Sequence, residues 1–286
     1  MRPPERLAVT ATLAVSLVLA VFRPAGAGTG LFVLAAALLV AAGLALLVDL
    51  GGRLGLVRDV SPYALLVTLY TQLKPTIEAL NDARYDGLFA RLDDRYLGAL
   101  VRIWRGALGR PDAFTDAVYL AYVSFYFMPV AVLLAVRASR DRGTFERASF
   151  TVLFGFILSY VGYLFWPTSG PRLSPAEEVA LGGGPVSQAV RAFLRAAGVN
   201  TLDAFPSGHT ALSMLSAWIG SRLFPRAAPF LWAWSGAIVF STIYVHVHYV
   251  CDLFGGVLLF GLTLLVMPAA WRLMSGSPSP SPRTER

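Results

Sequence analysis

The sequence predicts an all-α, polytopic membrane helix bundle, and three observations carry that expectation. Of 286 residues, 56% are apolar and 14% charged, against roughly 45–50% and 25% in soluble domains. Mean hydropathy is +0.61. The apolar residues are gathered into charge-poor runs close to the ~20 residues a helix needs to cross a hydrocarbon core. This composition excludes a single water-soluble globule. The one cysteine, Cys251, can form no intrachain disulfide and fits no multi-cysteine zinc pattern.

Eight segments follow in order, at residues 7–22, 29–48, 60–80, 117–136, 148–166, 210–221, 227–247 and 253–271. The first has Arg2 and Arg6 ahead of a short apolar run and Ala25-Gly26-Ala27 after it, so it reads as a signal peptide as well as a first span. The third is interrupted by Lys74 and Glu78 and either spans or lies at the interface. After it, residues 81–116 place Leu88, Phe89, Leu92, Tyr96, Leu100 and Trp104 at helical spacing among Arg and Asp, the pattern of an amphipathic helix on the membrane surface. The fourth contains Pro129, which would kink it. The fifth runs into the longest weakly apolar stretch, 167–206, which holds Gly182-Gly183-Gly184 and one short predicted helix at 186–197. A loop of that length is functional or disordered. The sixth is short without its flanks, so its ends should be buried in protein or line a cavity. In the eighth, Gly255 and Gly256 read as a close helix contact. From Ser275 the Ser-Pro alternation has no means of packing. The expected organisation is N-terminal transmembrane helices at 1–59, a membrane domain at 60–271 and a disordered cytoplasmic tail at 272–286.

Charge sets the orientation. With eight spans, one side holds the N-terminus, the loops near Arg53, Arg137 to Arg147 and Arg222 to Arg226, and the tail, with 13 Lys and Arg against 6 Asp and Glu; the other side holds 11 against 11. The basic side belongs in the cytoplasm, which turns residues 167–206 and 247–252 outward and puts the C-terminus inside. The formal net charge of +7 is thus a property of one face. Without a base-reading motif it predicts the bilayer as partner and no nucleic acid.

The only histidines, His209, His246 and His248, all fall at segment ends on the predicted outer face. His248 and Asp252 are four residues apart, so on a helical stretch the carboxylate could accept from one ring nitrogen and leave the other as a nucleophile. Pro206-Ser207-Gly208 ahead of an apolar run is a helix-start signal, with Ser207 as cap, and a helix N-terminus offers N–H groups and a positive dipole end to a phosphate. Arg172 can add a planar fork of donors to the same oxyanion. Zinc would account for the histidines and Asp252 but not for Arg172 or the helix start, so no metal and no cofactor is expected.

Phe205-Pro206-Ser207-Gly208-His209-Thr210, followed some forty residues later by Ser241 to Asp252, resembles the second and third signatures of the type 2 phosphatidic acid phosphatase superfamily. Trp166-Pro167-Thr168-Ser169-Gly170-Pro171-Arg172 is similar to the variant first signature of the branch containing inositol phosphorylceramide synthases. The resemblance covers about residues 60–271 and implies a six-helix phosphatase-like core with about two extra N-terminal helices. It implies that His248 is the nucleophile, Asp252 its orienting carboxylate and His209 the acid for the leaving oxygen, with Arg172, Ser207 and Gly208 binding phosphate oxygens. The chain departs from the phosphatase pattern at Thr242, where that pattern has Arg, and lacks the Lys-x6-Arg-Pro form of the first signature. His246, two residues before the nucleophile, could supply the missing donor, although a helical i to i+2 relation would point it away from His248.

The expected function is a plasma-membrane lipid phosphate phosphatase acting through a phosphohistidine on a lipid phosphoester or pyrophosphate at the outer face. A phospholipid headgroup phosphotransferase is the second expectation, and the first signature favours it. A non-enzymatic polytopic transporter is the third, opposed by the absence of an inverted repeat and by spans that hold almost no charge at mid-depth.

Overall fold

The computed structural model describes residues 1–22, 55–96, 111–173, 175–196 and 202–276. The predicted second segment, residues 97–110 of the amphipathic stretch and residues 277–286 of the tail lie outside the described residues. The fold is all-α, with no strand among the described residues. Its helices are α1 (Pro3–Phe22), α2 (Gly55–Leu80), α3 (Asp86–Tyr96), α4 (Asp112–Val123), α5 (Met128–Ser139), α6 (Arg142–Phe165), α7 (Pro175–Leu181), α8 (Pro185–Ala196), α9 (Gly208–Leu223), α10 (Ala228–Tyr244) and α11 (Val250–Ser275), with 3₁₀ turns at Ser124–Tyr126 and Pro225–Ala227.

Among the described residues, α6, α11 and α10 with its preceding turn are long and apolar enough to cross a membrane. The bent pair Asp112–Tyr126 and Met128–Ser139, meeting at 51°, makes a fourth candidate. The bend falls just ahead of Pro129, the second residue of α5, where proline removes a helical N–H. Helix α2 carries Arg58, Asp59, Lys74 and Glu78 and is not among the candidates. Helix α11 runs on to Ser275, and Gly276 ends it in the left-handed conformation, so residues 272–275 of the predicted tail are helical.

Helix α9 explains why the sixth segment is short. It is rich in small and hydroxylated residues, and Thr210, Ala211, Ser213, Ser216, Ala217 and Gly220 are all buried. It packs on α5, α6, α10 and α11, so it faces protein rather than lipid and needs neither the length nor the hydropathy of a lipid-facing span. Leu212, Leu215 and Ile219 join Val132, Val152 and Ile238 in the main core. A second cluster joins Leu7 of α1, Leu66 of α2, Phe150 and Leu153 of α6 and Met267 of α11.

At one end of the bundle an ion network ties four elements. Asp59 accepts from Arg2 at 2.8 Å, Arg137 at 2.7 Å and Arg142 at 2.9 Å, while Glu5 accepts from Arg2 at 2.8 Å and Arg58 at 2.6 Å. Both carboxylates are buried. All of these residues lie at helix ends that the charge count groups on one side. Asp59→Ala should cost about 1–3 kcal/mol, less than a fully dry pair because Arg137 and Arg142 keep contact with solvent. Denaturation in detergent micelles would check this, and an unchanged midpoint would count against the network as a clamp.

Candidate active site

Three loops meet at the opposite end of the bundle: 166–172 after α6, 202–207 before α9, and 245–249 between α10 and α11. Ser207 caps α9, its Oγ accepting from the Thr210 amide at 3.2 Å and the Thr210 hydroxyl at 3.1 Å. Helix α10 stops at Tyr244, and His246 at φ +59° reverses the chain so that the amides of Val247 and His248 return to the Thr242 carbonyl at 3.0 and 3.4 Å. His248 therefore lies outside any helix, contrary to the expectation of a helical i,i+4 pair with Asp252. The contact forms by another route. Tyr249 is the N-cap of α11 and Asp252 its third residue, and the Asp252 carboxylate reaches back to the Tyr249 amide at 2.8 Å. The same oxygen, Oδ2, accepts from Nδ1 of His248 at 3.2 Å.

That bond decides the electronics of the site. With Nδ1–H held by a carboxylate, Nε2 of His248 carries the lone pair, a tautomer assigned from the hydrogen-bond network. Two donors cover it: Ser207 Oγ at 3.3 Å and Nδ1 of His209 at 3.2 Å. The His209 ring stacks on Tyr122 at 5.0 Å and packs on Phe125 at 4.2 Å between ring centroids, which fixes its plane. Its other nitrogen, Nε2, is buried and makes no hydrogen bond among the described residues. Gly208 opens α9 where any side chain would meet the Tyr163 hydroxyl.

Arg172 sits at the edge of this group. Its Nε donates to the Ser169 carbonyl at 2.7 Å and a terminal nitrogen lies 3.6 Å from Asp203 Oδ1. Asp203 also accepts from the Tyr70 hydroxyl at 2.6 Å. Burial pushes the Asp203 carboxyl up from the usual range, opposed by the Tyr70 hydrogen bond and the Arg172 charge. Neither Asp203 nor Tyr70 stands out in the sequence, because a lone Asp in a loop and a Tyr in an apolar run carry no signal.

The loops are cross-tied. The Ala204 amide donates to the Thr168 carbonyl at 3.0 Å, the Phe205 amide to Thr168 Oγ1 at 2.8 Å, and the Ser207 amide to the Asp252 carbonyl at 3.0 Å. Gly170, at φ +78°, lies flat against the 245–249 loop, where an added Cβ would stand 2.2 Å from the Val247 carbonyl oxygen. Gly170→Ala combines backbone strain with a backbone clash. It should lower turnover at least about tenfold with little change in helix content, checked by activity beside circular dichroism. Wild-type turnover would mean the two loops need not touch.

Helix α3 holds all three loops from outside. Asp86 accepts from the amides of Ser169 at 2.9 Å and Gly170 at 3.0 Å. Phe89 stacks on Phe205 at 4.6 Å and faces Tyr249 at 6.4 Å. Asp93 accepts from the amides of Val250 at 2.6 Å and Cys251 at 3.0 Å, the start of α11. The sequence reads this stretch as an amphipathic helix on the membrane surface. Asp86, Phe89 and Asp93, at i, i+3 and i+7, instead share the face turned to the site.

Two cavities adjoin the group. One of about 500 Å³ is lined mainly by apolar and tyrosine side chains of α2, the 3₁₀ turn Ser124–Tyr126, α5 and α6, with Asp203, Gly208 and His209 among its walls and Asp59 and Arg137 also lining it. The other, about 290 Å³, is lined by Arg172, Arg191, Arg195, Tyr119, Glu178 and His246 among others. The Arg172–Asp203 pair joins the wall of one to the wall of the other. His246, two residues before His248 in the sequence, lines the second.

Residues 89–266 match the protein-family model described as PAP2 superfamily. No curated protein sequence and no solved structure matches the chain.

Proposed function

As the match spans well over half of its length, the chain belongs to the PAP2 superfamily and is a phosphatase- or phosphotransferase-type membrane enzyme, and we propose that it transfers a phosphoryl group from a lipid phosphoester or pyrophosphate through a phosphohistidine on His248. The observation that carries this reading is the lone pair of His248 Nε2, oriented by Asp252 from behind and met in front by Ser207 Oγ and His209 Nδ1 within 3.3 Å. A phosphorus atom entering between these groups meets a nucleophile on one side and donors on the other.

In the first step the P–N bond to His248 forms as the bond from phosphorus to the lipid oxygen breaks. That oxygen takes a proton from His209. Positioned acid catalysis of this kind contributes on the order of 10²–10⁴ in rate. Arg172, Ser207 and the N–H groups opening α9 at Gly208 bind the equatorial oxygens, where charge develops. In the second step His209 takes a proton from water, the new P–O bond forms, and His248 leaves as the neutral base. Hydrolysis makes the protein a lipid phosphatase.

Headgroup transfer to a lipid alcohol is the second reading, favoured by the presence of two cavities of different character beside one nucleophile. In both readings the lipid approaches from the outer leaflet of the plasma membrane, with the C-terminus in the cytoplasm, because the basic loops gather at the end of the bundle away from His248. The test is rapid quenching of the detergent-purified protein with a lipid labelled on phosphorus. An acid-labile, alkali-stable label on His248 is the expected result. Turnover without any such label would overturn the mechanism. Supplying ceramide or diacylglycerol and seeking a new phospholipid against free phosphate separates the two readings.

A further inference from the structure

We infer that Asp93, on the site-facing side of α3, is a positioning residue for the nucleophile: it fixes the first turn of α11, and that turn aims the Asp252 carboxylate at His248. The inference deepens the reading of His248 as nucleophile and rests on it for the effect on rate.

The first argument is how little aims Asp252. Its Oδ2 accepts from Nδ1 of His248 at 3.2 Å and from the Tyr249 amide at 2.8 Å. Its Oδ1 is buried and makes no hydrogen bond among the described residues, which is uncommon for a buried carboxylate oxygen. With that oxygen unheld, the direction of the carboxylate follows the backbone that carries it.

The second argument is what holds that backbone. Helix α11 begins at Val250 with Tyr249 as its N-cap, so the amides of Val250 and Cys251 have no acceptor inside the helix. Asp93 takes both, Val250 on Oδ2 at 2.6 Å and Cys251 on Oδ1 at 3.0 Å. One planar group bound to two consecutive amides fixes the rotation of the turn as well as its position, and its negative charge sits at the positive end of the helix. The next residue is Asp252. The turn is therefore set by a side chain 157 positions earlier in the chain than Val250.

The third argument is that α3 is itself fixed. Two turns before Asp93, on the same face, Asp86 accepts from the amides of Ser169 and Gly170 at 2.9 and 3.0 Å. Between the two acids Phe89 is buried and stacks on Phe205. Phe205 in turn lies on Gly255, where an added Cβ would stand 2.5 Å from its ring. Gly255 is about one turn along α11 from the amides that Asp93 holds, so the contact Phe89, Phe205, Gly255 sets the spacing between the two helices. Asp93 is thereby delivered to α11 at a fixed height.

Removing Asp93 leaves two amides in need of an acceptor, and the unheld oxygen of Asp252 is on the same turn. A short carboxylate side chain competes readily for nearby backbone amides. Turning toward them breaks the bond to Nδ1 of His248 and frees the ring to take the other tautomer, with the proton on the attacking nitrogen.

The chain has three histidines, so detergent-purified protein labelled with nitrogen-15 histidine gives few ring-nitrogen signals, and those lost in His248→Ala belong to His248. Their shifts report the tautomer. They are compared with kcat and KM on phosphatidic acid or a prenyl diphosphate, whichever is turned over faster. Asp93→Ala should lower kcat about 10–100-fold, keep KM within about twofold, and move the His248 signals toward those of Asp252→Asn. Asp93→Asn, which keeps one acceptor oxygen, should recover part of both changes. Asp94→Asn, at an exposed neighbour on the same helix, should change neither. A loss of kcat with the His248 signals of wild type would reduce Asp93 to a structural role and overturn the inference, as would an unchanged kcat. Asp93→Asn keeps the test valid if Asp93→Ala fails to fold. If His248→Ala keeps wild-type turnover, the nucleophile reading has failed and the inference falls with it; an unchanged kcat in Asp93→Ala beside an inactive His248→Ala sinks the inference alone.

Discussion

His248→Ala is expected to lower turnover on the order of 10⁴–10⁶-fold, since it removes the atom to which phosphorus would be transferred and leaves only binding and electrostatic assistance to a direct attack by water. Among the described residues no other side chain takes its place in the same geometry. His209 Nδ1 lies 3.2 Å from His248 Nε2, but its ring is packed between Tyr122, Phe125 and His248 with no carboxylate behind it to orient and charge-balance it. Asp252→Asn is the informative companion. An amide at that position can still meet His248 Nδ1 but favours the wrong tautomer, putting the proton on the nucleophilic nitrogen, and the loss should fall on kcat rather than KM. Steady-state rates with quenched-flow labelling measure both. Phosphoenzyme formation in His248→Ala at the wild-type rate would place the nucleophile elsewhere.

The second large effect is expected at His209. His209→Gln should cost on the order of 10²–10⁴ in kcat with a lipid alcohol as leaving group, because an alkoxide departs poorly without a proton. With a nitrophenyl phosphate, whose leaving oxygen is stable as an anion, the loss should shrink to about tenfold or less. Glutamine keeps most of the volume between Tyr122 and Phe125, so the comparison is of chemistry more than packing. An equal loss for both leaving groups would show that His209 positions the phosphate rather than protonating the alcohol.

The two effects follow from residues visible in the sequence, and the reason is composition. In a chain with 14% charged residues and three histidines, polar groups at the ends of apolar runs stand out against a uniform background, so Ser207, His209, His248 and Asp252 are all legible without the fold. Their proximity is not. His248 meets Asp252 because α10 stops at Tyr244 and the chain reverses at His246 with φ +59°, a backbone conformation that no helical spacing rule describes. The same reversal removes the objection to His246, since a helical i to i+2 relation does not apply outside a helix.

Other parts are hidden for different reasons. Asp86 and Asp93 look like the solvated side of a surface helix, and only the packing of α3 across the loops turns them into acceptors for Gly170 and Val250 amides. Arg191 and Arg195 belong to an amphipathic stretch whose partner face is set by Tyr119 and Glu178, which lie outside it in the chain. Asp203 takes its meaning from Tyr70, 133 positions earlier.

The sequence by itself determined the all-α membrane class and the kind of chemistry carried by its few polar residues, because hydropathy, helix period and residue type are local properties. The charge grouping of the loops was equally legible, and the Arg2, Asp59, Arg137 and Arg142 cluster gathers at one end of the bundle as that grouping requires. Only the tertiary structure decided that an apolar cavity and an arginine-lined one flank the group of Ser207, His209 and His248. That distinction depends on cavities bounded by α2, α4, α6 and α8 at once, and a cavity is a property of packed surfaces that no single segment encodes.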